Sequence, residues 1–216
     1  GLVAASAGDH AQGVAYAAKA YGVPATIVMP TTTPLIKVNR TESYGAKVIL
    51  KGDVYDEAAD FAIKYAEEKG MTFIHPFDDP VVATGQGTIA MEIIKDLPLV
   101  DAILVPVGGG GLATGISVLA KQLKPNIKII AVEPAGANSL QKSMEAGKVV
   151  TMKEVHTIAD GTAVKTPGKN VFPYLQKNID EIITVEDDEL VVAFLDMVEN
   201  HKMVVENSGL LTIAAL

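Results

Sequence analysis

The chain has 216 residues, 49% of them apolar and 20% charged, a composition typical of a folded globular protein and not of a disordered one. Its net charge of −8 and the lack of any stretch rich in Lys or Arg disfavour nucleic acid and anionic membranes as partners. Cysteine is absent, which excludes disulfides, a thiol nucleophile and thiolate metal sites. With no signal-peptide pattern at the start, this composition predicts a cytoplasmic protein.

Short apolar runs rich in Val and Ile alternate with helical patterns along the whole chain. After an opening strand that ends near Ala5, the runs predict strands at Thr26–Met29, Lys47–Leu50, Thr72–Ile74, Ala102–Val107, Ile127–Val132 and Glu181–Val185. The intervening patterns predict helices at His10–Tyr21, Leu35–Tyr44, Tyr55–Lys69, Gly85–Lys95, Leu112–Leu123 and Asn138–Ala146.

This alternation predicts an α/β fold whose parallel sheets are covered by helices on both faces. The clearest internal boundary is HPFDDP, His75–Pro80, where two prolines and two aspartates separate a strand from a helix. We therefore expect a small lobe over residues 1–75 and part of a large lobe over residues 76–216. Ligands of such sheets bind beyond the carboxyl ends of the strands, so the loops there are the candidate functional segments.

The longest uncharged stretch and the two ends of the chain bear on whether it crosses a membrane and whether it is part of a longer protein. The uncharged stretch Ala102–Ala120 is divided by Pro106 and four glycines, which predicts a strand, a loop and a helix in place of a membrane span. The chain also opens on GLVAAS without a capping pattern and stops within an apolar segment. We expect it to be an internal piece of a longer protein.

The strongest local pattern is VPVGGGGLATG, Val105–Gly115, in which four glycines follow a strand and precede a helix. Backbone N–H groups at such a loop can surround an anion, and a phosphate is the usual ligand. Gly108, Gly110 and Ala113 also satisfy the G-x-G-x-x-A dinucleotide fingerprint, with Glu133 at the end of the next strand. From this loop alone, a dinucleotide-dependent oxidoreductase stays an open alternative.

The loops in combination point to one family. ASAGDHAQG, VPVGGGGLATG, HPFDDPVVATGQGT and ADGTAVKTPG, with VEP and ENSG in the same order, resemble the pyridoxal-phosphate enzymes of the threonine dehydratase family. This family includes threonine and serine ammonia-lyases and serine racemases. The resemblance covers almost the whole chain and implies a two-lobed, tryptophan-synthase-β-like fold, incomplete at both ends.

The resemblance also implies roles for individual residues. Gly108, Gly109, Gly110 and Gly111 would hold the phosphate of pyridoxal 5'-phosphate, with Leu112 opening the helix behind them and Gly161 near the cofactor ring. Ser6, Ala7, Gly8 and His10 would form the loop that binds the substrate carboxylate. The turn at Gln86–Thr88 would support the site from behind.

The implied reaction is that of a threonine ammonia-lyase, which removes the α-proton and eliminates the β-hydroxyl to give 2-oxobutanoate and ammonia from L-threonine. Serine racemase or serine dehydratase is the alternative within the family, and a non-catalytic assembly module is the alternative outside enzymes. The partners implied are a small amino-acid substrate and further copies of the chain, as a dimer or tetramer.

The chain departs from the family pattern at its anchoring lysine. The family carries this lysine in a stretch upstream of the Ser6–His10 loop, and this chain begins at Gly1, directly before that loop. No catalytic residue is therefore expected within the chain, and we expect residues 1–216 alone to be inactive.

Asp9 occupies a position where the family usually has Asn, whose amide would donate to the phenolic oxygen of the cofactor. A carboxylate only accepts hydrogen bonds unless it is protonated, so Asp9 opposes an ionised cofactor oxygen. The alternative is that Asp9 caps the helix that begins near His10.

Ala7 and Glu133 bear on the choice within the family. Ala7 stands where serine racemases carry a serine that exchanges protons, which favours elimination over racemisation. Glu133 and the Ala137 carbonyl match a racemase cation site, but Ser139 replaces an aspartate. Because a hard cation needs several oxygen ligands, we expect no metal there.

Overall fold

The computed structural model describes every residue from Gly1 to Leu216, and the chain divides into two compact units. The first unit is Gly1–Pro76 and the second is Phe77–Leu216. Each is an α/β unit built on its own parallel sheet.

The first unit contains four strands and three helices. Its strands are β1 (Leu2–Ala5), β2 (Ala25–Met29), β3 (Lys47–Leu50) and β4 (Thr72–Phe73), and its helices are α1 (Asp9–Ala20), α2 (Leu35–Ser43) and α3 (Tyr55–Lys69). All pairs are parallel in the order β3-β2-β1-β4, and β1 pairs with β2 from Leu2 opposite Ala25 to Ala5 opposite Val28.

Both faces of β1 and β2 are buried, which explains why these strands lack alternating polarity. Ala4, Ile27 and Met29 pack with α1 in one apolar cluster. Val3, Ala5 and Val28 pack with Ala58, Ala62 and Ala66 of α3 in another. Because successive side chains of a strand point to opposite faces, the two clusters lie on opposite sides of the sheet.

The second unit contains three strands and six helices. Its strands are β5 (Ala102–Pro106), β6 (Lys128–Pro134) and β7 (Glu181–Val185), and its helices are α4 (Pro80–Asp96), α5 (Gly111–Leu123), α6 (Ser139–Ala146), α7 (Phe172–Asn178), α8 (Asp187–Glu199) and α9 (Asn207–Ala214). The strands are parallel in the order β5-β6-β7, with Pro106 opposite Val132. The segments that follow β5 and β6 therefore leave the sheet at the same edge.

The predicted strands and helices all form, with one informative difference at α4. The helix begins at Pro80, five positions before the predicted Gly85, because Asp79 caps it. The Asp79 carboxylate accepts hydrogen bonds from the N–H groups of Val81 at 2.8 Å and Val82 at 3.4 Å. Gln86–Thr88, which the resemblance describes as a turn, lies inside this helix, as the predicted helix at Gly85–Lys95 requires.

No helix of the chain combines the length and apolar character that crossing a membrane requires. The uncharged stretch Ala102–Ala120 contains β5, the four glycines Gly108–Gly111 and the first part of α5, which begins at Gly111. We refer to Gly108–Gly111 as the glycine loop.

Helices α4 and α5 cross at two glycines that allow their backbones to approach closely. A Cβ atom built on Gly87 would lie 3.1 Å from the Gly115 carbonyl oxygen. One built on Gly115 would lie 2.0 Å from the Ala83 carbonyl oxygen. Since backbone atoms cannot move aside as side chains can, Gly115 fixes the separation of the two helices and thereby the position of the glycine loop from which α5 starts.

We expect Gly115→Ala to lower the free energy of unfolding of the second unit by about 3 kcal/mol, because the added methyl group forces the helices apart. Gly85→Ala is the matched control in α4, since a Cβ there meets nothing within 4 Å. It should stabilise by up to about 1 kcal/mol through helix propensity. Urea denaturation of both variants measures the difference, and equal stability would contradict the close crossing.

Candidate functional site

The glycine loop presents a row of unpaired N–H groups at a helix N-terminus. The N–H of Val107 still belongs to the sheet and donates to the Val132 carbonyl at 2.8 Å, and the N–H of Thr114 donates to the Gly110 carbonyl at 2.9 Å. Between them, the six N–H groups from Gly108 to Ala113 donate to no backbone carbonyl. With the partial positive charge of the 13-residue helix α5, this arrangement suits an anion such as a phosphate.

The loop consists of glycines because the surrounding backbone and side chains leave no room for a Cβ atom. A Cβ at Gly109 would lie 2.2 Å from the Phe77 ring, and one at Gly111 would lie 2.7 Å from the Phe77 carbonyl oxygen. At Gly110 it would lie 2.6 Å from Leu175, and the φ of +95° is itself strained for other residues. The four glycines are thus a packing requirement as well as a source of accessible N–H groups.

Gly161 lies in a short 3₁₀ turn, Asp160–Thr162, whose last residue contacts the glycine loop. A Cβ at Gly108 would lie 3.0 Å from the Thr162 Cα. A Cβ at Gly161 would lie 2.9 Å from the Ser208 hydroxyl oxygen in the ENSG segment. The fold therefore brings Gly161 and ENSG, far apart in sequence, next to the phosphate-loop candidates.

In the first unit, Ser6, Ala7 and Gly8 follow β1 and lead into α1. The Gly8 N–H donates to the Ser6 hydroxyl oxygen at 3.1 Å, which leaves the Ser6 hydroxyl hydrogen available to another acceptor. The N–H groups of Ala7, Asp9 and His10 donate to no backbone carbonyl. This loop, too, offers donors to an anion at a helix N-terminus.

Asp9 does not cap α1, so the capping interpretation is wrong. It is the first helical residue, Gly8 occupies the cap position, and no side chain makes a capping hydrogen bond. A capping side chain belongs to the residue just before the first helical residue, where its oxygen accepts from the N–H groups two or three residues later. The exposed Asp9 carboxylate instead lies at the positive end of the helix, where a negative charge is favourable.

His10 ties the start of α1 to the segment after β4. Its Nε2 lies 3.0 Å from the Ile74 carbonyl oxygen, and since a carbonyl only accepts, Nε2 carries the proton. Burial lowers the pKa of the His10 imidazole, while the bond to Ile74 acts in the opposite direction. The side chain is therefore neutral at pH 7, with an unprotonated Nδ1.

Glu133 is fully buried and turned toward α6, not toward the glycine loop. One carboxylate oxygen accepts from the Leu140 N–H and the other from the Gln141 N–H, both at 2.8 Å. Burial raises the pKa of this carboxyl to about 7, against the effect of those two bonds. Glu133 thus presents no oxygen to a ribose, as the dinucleotide fingerprint requires.

The cation-site candidates Glu133 and Ala137 do not form part of a larger ligand set. No group of three or more His, Asp or Glu side chains in the chain lies close enough together to hold a metal ion. Where the racemase pattern has an aspartate, Ser139 supplies a hydroxyl in place of a carboxylate, and this buried hydroxyl has no hydrogen-bond partner.

Sequence reasoning missed two residues that contact the glycine loop, Phe77 and Thr162. It also missed Asp78 and Asn170, which bond to each other beside the segment that donates to the Gly109 carbonyl. A signal existed in HPFDDP, because a helix needs one capping carboxylate and this segment supplies two. The contacts of Phe77 and Asn170 are visible only in the tertiary structure.

Known proteins are similar to this chain in sequence and fold over its whole length. A family model described as "Pyridoxal-phosphate dependent enzyme" matches residues 1–216. The chain is 47% identical to an L-threonine ammonia-lyase of Geobacter sulfurreducens and 46% identical to one of Thermotoga maritima, over 100% of the chain and 54% of each relative. The chain thus spans about half the length of these curated relatives.

Two solved structures superpose closely on the chain. Processed threonine deaminase isoform 2 of Solanum lycopersicum matches with a TM-score of 0.95 and 44% identity, over 99% of this chain and 59% of that one. Maize serine racemase matches with a TM-score of 0.95 and 37% identity, over 100% of this chain and 65% of that one.

The buried Glu133 makes the stability of the second unit dependent on pH. Its folded-state pKa of about 7 exceeds the ordinary value of 4.5, so its protonated form is favoured by folding. The stabilising contribution is complete below about pH 4.5 and is lost as the pH rises to about 7, a change of about 3 kcal/mol.

We expect Glu133→Gln to remove this slope, because glutamine does not ionise. Urea denaturation between pH 5 and pH 8 measures the slope, with Glu145→Gln, an exposed glutamate of α6, as the control. A fall in stability between pH 5 and pH 8 that is as steep in Glu133→Gln as in the unaltered chain would contradict the assignment.

Proposed function

The chain belongs to the pyridoxal-phosphate dependent enzyme family, and from that membership we propose that it forms the phosphate-binding and substrate-binding segments of a threonine ammonia-lyase. The reaction converts L-threonine to 2-oxobutanoate and ammonia. The relatives that match the whole chain at 46–47% identity carry the name L-threonine ammonia-lyase, which supports threonine as the substrate.

The proposed cofactor binding rests mainly on the unpaired N–H groups of the glycine loop. Six successive N–H groups from Gly108 to Ala113 donate to no backbone carbonyl and lie at the N-terminus of α5. Unpaired donors of this kind are costly unless an acceptor binds them, and a phosphate offers several oxygens at once. The residues present therefore fit the phosphate of pyridoxal phosphate, held by Gly108–Gly111 and Leu112.

The Ser6–Gly8 loop is proposed to bind the substrate carboxylate. It contributes the Ser6 hydroxyl and the N–H groups that follow, near the positive end of α1. Neutral His10 keeps this loop attached to Ile74 through its Nε2–H and adds no competing charge. When bound, pyridoxal phosphate supplies an electron sink for the electrons left on the α-carbon when the α-proton departs.

Ala7 favours the lyase reaction over the racemase alternative. Racemisation needs a proton-exchanging group on each face of the substrate, whereas elimination does not, and a methyl group exchanges no proton. The similarity to maize serine racemase keeps serine racemase or serine dehydratase as the second candidate. The family membership and the orientation of Glu133 disfavour the dinucleotide-dependent alternative.

The lysine that anchors the cofactor in the family pattern is not among residues 1–216. We propose that a polypeptide of these residues alone is inactive, and that the segment acts within a longer, homo-oligomeric enzyme of the cytoplasm. If the segment were instead a non-catalytic module, supplying the rest of an enzyme would not restore turnover.

A chimera tests this function directly. Residues 1–216 would replace the matching segment of the Thermotoga maritima enzyme, and we expect the chimera to form 2-oxobutanoate from L-threonine, while residues 1–216 alone form none. Leu112→Pro in the chimera removes one N–H of the cradle at a position where a helix tolerates proline, and should lower cofactor affinity about tenfold. Leu112→Ala is the matched control that keeps the N–H.

A folded chimera that binds pyridoxal phosphate without any turnover of threonine or serine would overturn the lyase proposal. Turnover by residues 1–216 alone would overturn the proposed inactivity. Equal cofactor affinity of the two Leu112 variants would remove the N–H cradle as the binding element.

The charge of Asp9 provides a second test, since Asp9 is not a cap. In the chimera, Asp9→Asn should raise the affinity for pyridoxal phosphate about tenfold, because an amide donates where a carboxylate repels. The same variant should lower thermal stability slightly, since it removes a favourable charge at the start of α1. Cofactor titration by absorbance and a melting curve measure the two effects. An unchanged affinity would mean that Asp9 does not interact with the cofactor.

A further inference from the structure

Asp78 and Asn170 join two parts of the second unit that lie far apart in sequence. The Asp78 Oδ1 accepts from the Asn170 N–H at 2.7 Å and from the Val171 N–H at 3.3 Å. The Asn170 Nδ2 donates to the Asp78 carbonyl oxygen at 3.1 Å and to Oδ2 at 3.4 Å. We refer to these four hydrogen bonds as the Asp78–Asn170 clasp.

The clasp holds a segment that is itself bonded to the glycine loop. The Gly168 N–H donates to the Gly109 carbonyl oxygen at 2.9 Å. A Cβ at Gly168 would lie 2.4 Å from the Asp78 Oδ1, so the two segments are in direct contact at this point. The Gly109 carbonyl is thereby held by a bond that depends on where Asp78 places Gly168.

The residue before Asp78 contacts the same loop directly. The Phe77 ring covers Gly109, and the Phe77 backbone lies against Gly111. Phe77 and Gly168 therefore both constrain Gly109, and Asp78 connects the two constraints.

We propose that Asp78 and Asn170 are positioning residues that fix the glycine loop in the shape that binds phosphate. The inference rests on the proposed function, since it assigns these residues to the same phosphate-binding loop. Neither residue contributes an N–H to the cradle. They act through Gly168, whose bond orients the Gly109 peptide and with it the neighbouring N–H groups.

The adjacent aspartate shows that Asp78 is not needed as a helix cap. Asp79 supplies the capping oxygen of α4 and makes no hydrogen bond to residues 166–171. The two carboxylates thus have separate partners, and Asp79 is a matched control for the loss of a neighbouring structural carboxylate.

The two backbone N–H groups of the clasp bond to a single oxygen of Asp78. Both the Asn170 and the Val171 N–H reach Oδ1. An asparagine at position 78 retains this oxygen as an acceptor and removes the negative charge. Asp78→Asn should therefore keep the two backbone N–H bonds and lose only the 3.4 Å bond from the Asn170 Nδ2 to Oδ2. Asp78→Ala removes all three bonds to the Asp78 side chain and leaves only the bond to the Asp78 carbonyl oxygen.

The experiment measures two quantities on the chimera with the Thermotoga maritima enzyme and on its variants. The first is the dissociation constant for pyridoxal phosphate, with inorganic phosphate as a second probe. The second is the hydrogen-exchange rate of the Gly168 amide without ligand. We expect Asp78→Ala to raise the dissociation constant about tenfold and to accelerate exchange of the Gly168 amide. Asp78→Asn should leave both quantities close to their values in the unaltered protein.

Two further variants keep the test decisive. Asn170→Ala removes only the two side-chain bonds of the clasp and should raise the dissociation constant about threefold, so it serves where Asp78→Ala does not fold. Asp79→Ala should lower the melting temperature through the lost cap, and leave both the dissociation constant and Gly168 exchange unchanged.

The outcomes test the positioning role of the clasp separately from the proposed phosphate-binding function. If the chimera binds pyridoxal phosphate and Asp78→Ala leaves the dissociation constant unchanged, the positioning role is overturned and the proposed function stands. If the chimera binds neither probe while Gly168 exchange still depends on Asp78, the phosphate-binding proposal falls and the clasp remains as a structural link. Gly168 exchange that is insensitive to Asp78→Ala overturns the clasp in either case.

Discussion

The exclusion of side chains from Gly108–Gly111 is the constraint on which the second unit depends. A Cβ atom would meet Thr162 at Gly108, Phe77 at both Gly109 and Gly111, and Leu175 at Gly110, each at 3.0 Å or less. The same four positions leave their N–H groups without a backbone acceptor. A loop whose Cα atoms are closely packed and whose N–H groups lack acceptors is costly by itself, and a bound anion would offset that cost.

Both units place small residues between a strand end and a helix start, but they differ in charge. The glycine loop contains no ionisable side chain, so the N–H groups and the positive end of α5 act on an anion without opposition. The loop after β1 adds the Ser6 hydroxyl and then a carboxylate at Asp9. That carboxylate suits the start of α1 and opposes a bound anion, so helix stability and ligand affinity make opposite demands on one residue.

Glu133 illustrates how one residue can satisfy a sequence fingerprint and still lack the function that the fingerprint implies. Its spacing from the glycine loop allows a dinucleotide, but both of its oxygens are bonded to the start of α6. Burial also raises the pKa of this carboxyl to about 7, which favours its protonated form. Membership in the pyridoxal-phosphate dependent family agrees with this geometry, since a phosphate loop for that cofactor needs no acid at the end of the next strand.

The sequence by itself determined the α/β class, the seven strands, the helices as far as α6 and the loops at strand ends, because periodicity and glycine runs act over a few residues. The combination of loop motifs carried the resemblance to threonine dehydratases. It left open whether Asp9 caps α1, and the structure excludes the cap, since capping depends on whether the helix starts one residue earlier or later. Only the tertiary structure decided that Asp79 caps α4, that Glu133 faces α6 and that Asp78 binds Asn170. Those contacts join residues distant in sequence, and packing, not local propensity, selects among the partners each polar group could have.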